Sequence, residues 1–185
     1  MGIWNLEISI NYTEFFFLDE EDKAEFHKLA QDHFEISTLI VQKWQTLYMQ
    51  RGNPKKNTDF FEIDGSGIFA IIQNALNILS EYLKGFVEVL PIKTDCGKYY
   101  ALNVINVIDC LDKQASKYIA TNNGCIVSYS LLEFDENKLG ESLFFKIPQL
   151  PYQIFIADPL YEIYETNDLR GLVFDPEVNL VWYSE

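Results

Sequence analysis

The sequence predicts an α+β fold: a single domain over residues 1–185, mostly antiparallel sheet of many short strands, with about three helices. Three observations carry this. Short apolar stretches recur between turns that hold glycine, asparagine or proline, which is the pattern of short strands. Helical spacing of apolar residues appears in only a few places. Hydrophobic residues make up 48% and aromatic residues 15% of 185 positions, enough for one good core and too much for disorder.

The elements follow in order. Trp4, Leu6, Ile8 and Ile10 alternate along residues 3–10 and predict a first strand, and residues 13–18, with Phe15, Phe16 and Phe17, a second. Asp19, Glu20, Glu21 and Asp22 place carboxylates where a helix begins, favourable against its dipole. Asp22 and Glu25 match a capping box, and Phe26, Leu29, Ala30 and His33 follow at helical spacing. Residues 36–41 and 44–49 read as strands, and 51–57 as a polar loop holding the only basic cluster. Residues 60–63 and 68–72 flank Asp64-Gly65-Ser66-Gly67, a turn sequence.

A helix is expected over 73–84, with Ile72, Ala75, Leu76, Leu79 and Leu83 on one stripe and Gly85 as its left-handed stop. Residues 86–93 and 99–108 then pair as an antiparallel hairpin around 94–98. The run 99–108, broken only by Asn103 and Asn106, is too short to span a membrane and predicts a strand covered on both faces. Residues 116–120 and 125–130 flank Asn122-Asn123-Gly124, a second hairpin, and 131–134 extend it towards an acidic turn of Asp135, Glu136 and Asn137. Residues 142–147 and 153–156 are short strands separated by Pro148 and Pro151. Asp158, as an N-cap acid, and Pro159 open a third helix to about Thr166. Residues 171–174 and 178–182 close the chain as strands.

Charge narrows the function classes. The net charge is −14, with −7 in residues 1–35, +1 in 36–132 and −8 in 133–185. Nucleic acid and anionic membrane surfaces demand a basic footprint, so neither is expected as a partner. Such a field steers in a basic protein, or serves solubility alone. No apolar run is long enough for a membrane helix and the N-terminus lacks a signal-peptide pattern, so a cytoplasmic location is expected. Cys96, Cys110 and Cys125 form no CxxC and read as buried free thiols; His27 and His33 do not cluster with them, so no metal or cofactor is expected. Gly65-Ser66-Gly67 is neither a nucleophile elbow nor a phosphate loop.

Several phrases carry a family likeness. Asp59-Phe60-Phe61-Glu62-Ile63 precedes a glycine turn and the 73–84 helix. Leu90-Pro91-Ile92 leads into Tyr99-Tyr100-Ala101-Leu102-Asn103-Val104, then Asp109-Cys110-Leu111-Asp112 and Ser116. Phe144-Phe145-Lys146-Ile147-Pro148 and Asn167-Asp168-Leu169-Arg170-Gly171-Leu172-Val173-Phe174 come last. In order and spacing, residues 58–183 resemble the myxobacterial-type immunity-protein family, with the Asp-Cys-Leu-Asp phrase the most specific. Nearer the start only Trp44 and the Gly52-x-Pro54 loop align. The resemblance implies an antidote, encoded beside a polymorphic toxin of bacterial competition and neutralising it by binding, without catalysis. One departure stands out: Ala157-Asp158-Pro159-Leu160-Tyr161 replaces the family's Ser-Asp-acid-Phe-Lys segment, which makes that helix a place for partner specificity to diverge.

Two sets of residues compete for function. Asp109 and Asp112, three apart, are the candidates for a small metal-dependent hydrolase, yet neither histidine is near them in sequence. As structural acids, Asp112 caps the segment through Ser116 and Asp109 satisfies backbone donors at the strand end. Asn103 and Asn106 fall on opposite strand faces and serve as buried amides. For an antidote, the candidate partner-binding residues are Glu133, Asp135 and Glu136 on one turn, Glu162 and Glu165 on the late helix, and Tyr161 and Tyr164 as exposed anchors. A basic nuclease is the toxin class such an acidic face suits. A scaffold for another basic protein is a third reading.

Overall fold

The computed structural model describes residues 2–9, 14–30, 32, 37–46, 48–52, 58–64, 66 and 68–175. Among the described residues, two sheets and a separate ribbon account for the strands. The first sheet has the order β10-β11-β1-β12, from β1 (Ile3–Ile8), β10 (Phe144–Ile147), β11 (Leu150–Ala157) and β12 (Leu172–Asp175), all antiparallel. The second has the order β3-β2-β4-β5-β7-β6, from β2 (Glu14–Phe17), β3 (Met49–Arg51), β4 (Phe60–Ile63), β5 (Phe69–Ile72), β6 (Val87–Ile92) and β7 (Tyr99–Val104). Only its β2–β4 pair is parallel. The ribbon pairs β8 (Lys117–Ala120) with β9 (Ile126–Leu131). Helices α1 (Glu20–Leu29), α2 (Gln73–Leu83), α3 (Glu136–Leu139) and α4 (Asp158–Thr166) complete an α+β fold.

Period-two alternation decides which core each strand face joins. Along β7, Leu102 and Val104 enter a core shared with Leu6, Ile156, Leu79 of α2 and Leu160 of α4, so this layer lies between the two sheets. Tyr99 and Ala101 point the other way, into a second core with Phe15, Phe61 and Phe26 of α1. The expected two-sided burial is therefore observed. On the first sheet Ile154 and Ile156 join the shared core, while Phe155 turns outward into a third core with Phe145, Cys110 and Leu111.

The apolar stripe of α2 buries Ala75, Leu79 and Leu83, and Gly85 (φ +84°) stops the helix. Hairpins β4–β5, β6–β7 and β8–β9 form as expected.

Several expectations are corrected. Residues 37–46 carry no strand, and among the described residues of 44–49 Met49 starts β3 and Tyr48 makes an isolated bridge to Lys93. There the amides of Ile40 and Val41 donate to the Glu88 carboxylate at 2.9 and 3.1 Å, and Lys43 and Trp44 turn back onto the Ile40 carbonyl. A side-chain acceptor has replaced the ladder. The cap of α1 is Asp19, which accepts from the amides of Glu21 and Asp22, so Asp22 lies inside the helix. Strand β7 ends at Val104, because Asn106 and Ile108 cross to bond Lys146 of β10. The acidic turn becomes α3, a fourth helix, because Asp135 accepts from the Asn137 amide. Cys96 and Cys125 are exposed; only Cys110 is buried. The expected strand at 178–182, Ile36, and the glycines at 65 and 67 lie outside the described residues.

Candidate functional site

The Asp-Cys-Leu-Asp phrase leaves β7 as irregular chain and is clamped on both sides. Cys110 offers its carbonyl to the Asp135 amide at 2.7 Å, and Leu111 bridges to Phe134. Both side chains are buried in the third core. Burial pushes the Cys110 thiol up to about 11. The alternation of buried Cys110 and Leu111 with more solvated Asp109 and Asp112 gives the phrase its pattern.

Its two carboxylates do different work. Asp112 accepts from the amides of Gln114 and Ala115 at 2.9 and 3.0 Å, and its carbonyl takes the Ser116 amide. Those amides hold its carboxyl below the ordinary range. Ser116 then stitches the turn to the chain leaving β9 at the ribbon's root, since its hydroxyl receives the Glu133 amide at 2.9 Å. Among the described residues Asp109 meets no backbone donor; its Oδ1 accepts from Gln149 Nε2 at 2.7 Å, on the β10–β11 turn. That bond, with Lys113 nearby, lowers its carboxyl as well. Asn103 donates to the Thr38 carbonyl and to Glu88, and Asn106 to the Phe144 carbonyl.

The residues singled out for partner binding fall in two places. Glu133, Asp135 and Glu136 cluster where the ribbon returns to the body, Asp135 spending one oxygen as the α3 cap. Glu162 and Glu165 are exposed on α4. Tyr161 is half-buried and stacks on Trp4 with ring centroids 4.5 Å apart. Tyr164 is not an exposed anchor: it is buried in the shared core, and its hydroxyl accepts the Leu172 amide at 3.1 Å. At 3.6 residues per turn a tyrosine three residues after another lies about 60° round the helix, which on α4 is the step from rim to core. Asp158 is also reassigned. Ala157 occupies the cap, and the Asp158 carboxylate binds the Gly2 amide and Trp4 Nε1 instead, tying α4 to β1.

The phrases at 58–63 and 167–174, far apart in sequence, form one joint. Asp59 and Phe60 donate their amides to the Arg170 carbonyl, Thr58 donates its hydroxyl to the same oxygen, and the Arg170 amide returns to Asp59 Oδ2 at 2.9 Å. Gly171 (φ +116°) has no room for a side chain, since a Cβ there would sit 2.0 Å from Thr58 Oγ1 and 2.8 Å from the Phe60 carbonyl. Beside this joint a cleft of about 380 Å³ is lined by Arg51, Asp59, Tyr99 and Arg170 among others. Burial raises the Asp59 carboxyl, against the pull of the Arg170 amide. The cleft is nearly balanced in charge, and its Arg170 already pairs with Asp168 at 2.7 Å. Among the described residues no group of three or more His, Cys, Asp or Glu side chains is placed to hold a metal, and no helix is long and apolar enough to cross a membrane.

Against known proteins, a model of the immunity protein family (Imm11) matches residues 43–179. The match covers the six phrases above and reaches back to Trp44. No curated protein matches the chain.

Proposed function

The chain belongs to the immunity protein family (Imm11), and from that premise we propose that it neutralises a cognate bacterial toxin by binding it non-covalently, without catalysis of its own. The observation that carries the proposal is the family match over residues 43–179. The geometry of the paired carboxylates supports the absence of a reaction: Asp112 serves two backbone amides and Asp109 serves Gln149. Those bonds suit anchoring a turn. Within this reading, the acidic surface favours a basic toxin, and a nuclease is the class whose phosphate-binding cleft a polyanionic face can occupy. Glu133, Asp135 and Glu136, with Glu162, Glu165 and Tyr161, are the proposed contact residues. The toxin acts, and is met, in the cytoplasm.

The experiment is rescue. Cells expressing the toxin encoded by the neighbouring gene are expected to grow when this chain is co-expressed, and the Asp109→Asn variant is expected to protect equally well. Failure of the wild type to protect against any linked toxin would overturn the antidote reading. Loss of protection in a stably folded, toxin-binding Asp109→Asn variant would overturn the absence of catalysis.

A further inference from the structure

We propose that the β8–β9 ribbon and the groove beside it receive the toxin, which lays an extended apolar segment with basic flanks along β9. This rests on the functional reading above and adds the place and chemistry of contact.

The ribbon pairs with no other strand among the described residues, and all four residues of β8 are exposed. A two-stranded ribbon is marginal in water by itself, so exposed apolar side chains on it need a reason. Tyr118 is 51% exposed, Ile119 60% and Ile126 48%. Facing β9 across a groove of about 380 Å³ is the segment 149–153, where Tyr152 is 57% exposed. Leu150 and Pro151 contribute further apolar wall.

The ribbon is also held in position. Tyr129 is buried in the third core and meets Tyr118 edge-on, and the Ser116–Glu133 bonds fix both strand ends. A fixed edge strand beside an apolar trough is what strand addition requires: backbone groups supply affinity and alternate side-chain sites supply choice.

Charge decides between occupants. Residues 109–141, which contain the ribbon and its root, carry six acids and three lysines, a net of −3. Asp109 is fixed on Gln149 at the groove wall, and Glu133, Asp135 and Glu136 follow β9 directly. A second copy of this chain would bring a further −14 against the same acid-rimmed surface. A basic partner gains from that field where a copy loses.

The test measures Kd for the toxin domain encoded by the neighbouring gene, with the full chain as wild type, Ile126→Asp, Tyr152→Ala and Tyr118→Ala. Tyr82→Ala on α2 is the control, and thermal melts establish that each variant folds. Central aromatic or apolar anchors predict that each of these ribbon and groove variants weakens binding by about 30-fold, with the control unchanged. Where Ile126→Asp fails to fold, the two tyrosine variants decide. Toxin bound by the groove variants as tightly as by the wild type overturns the docking site and leaves the antidote reading standing. No binding by the wild type overturns that reading and this inference with it. Sedimentation of the chain alone showing a dimer that Tyr152→Ala dissociates assigns the groove to a second copy and overturns the toxin as its occupant.

Discussion

Asp158 shows how one carboxylate can join two elements. It sits in the first turn of α4, yet its oxygens serve the Gly2 amide and Trp4 Nε1 of the β1 segment. The Gly2 amide, then the indole, hold its carboxyl below the ordinary range. A carboxyl lowered on folding contributes stability that is fully present above its unfolded value, about 3.9, and is lost as pH falls through the lower folded value. Asp158→Asn is therefore expected to reduce Tm clearly at neutral pH, with the gap to wild type closing as pH falls below that unfolded value and through the lower folded one. Melts across a pH series check this; a gap that persists unchanged into strong acid refutes the account. Cysteine reactivity follows the same residue-by-residue logic. The thiolate is the reactive form, and Cys110 is buried with its thiol pushed up to about 11, while Cys96 and Cys125 are exposed. A maleimide is expected to label two thiols in the native protein and the third only in denaturant, which mass spectrometry of the peptides reads directly.

Between elements, Glu88 is the side chain that replaces secondary structure. It is buried on β6, accepts from the Ile40 and Val41 amides, and takes a third bond from Asn103. Trp44 adds a bond to the Pro91 carbonyl, so residues 37–46 are laid over β6 and β7 without pairing as a strand. Removing an acceptor that serves buried donors is costly, and Glu88→Ala is expected to lower stability by about 2–3 kcal/mol. Denaturant unfolding measures the loss, and hydrogen exchange should speed up first at Ile40 and Val41. A variant whose exchange at those amides is unchanged would show that the carboxylate does not hold the segment. This segment also marks where sequence reading stops. The near-continuous apolar run along 99–104 reports two covered faces, because both faces meet apolar partners and the pattern is local. The strand reading of 36–41 failed because the deciding acceptor lies 47 or 48 residues away, and no local pattern announces it. Asp158 was legible as a helix-start acid, whereas its partners on β1 were not.

At the scale of the whole molecule, several of the phrases that made family membership legible lie at joints, and joints tolerate few residue types. Gly171 against Thr58, and Cys110 and Leu111 against Phe134 and Phe145, are such places. A partner surface has no such internal constraint. Tyr161 and Tyr164 looked alike in sequence, yet one lies at the rim and the other in the core, and the exposed apolar residues of the ribbon matched an ordinary hairpin. Net charge escapes this difficulty, because a sum of −14 needs no coordinates. If the partner is a basic toxin, that field acts chiefly before contact, steering encounter over distances that salt cuts to about 8 Å at physiological ionic strength. Raising salt from about 0.05 to 0.5 M is then expected to slow association by about tenfold or more, with dissociation changed much less. Stopped-flow association and dissociation traces with the purified toxin domain separate the two rates. Salt acting mainly on dissociation would mean that the decisive charges are paired inside the interface, and Glu133→Gln and Glu162→Gln would then show which rim carries them.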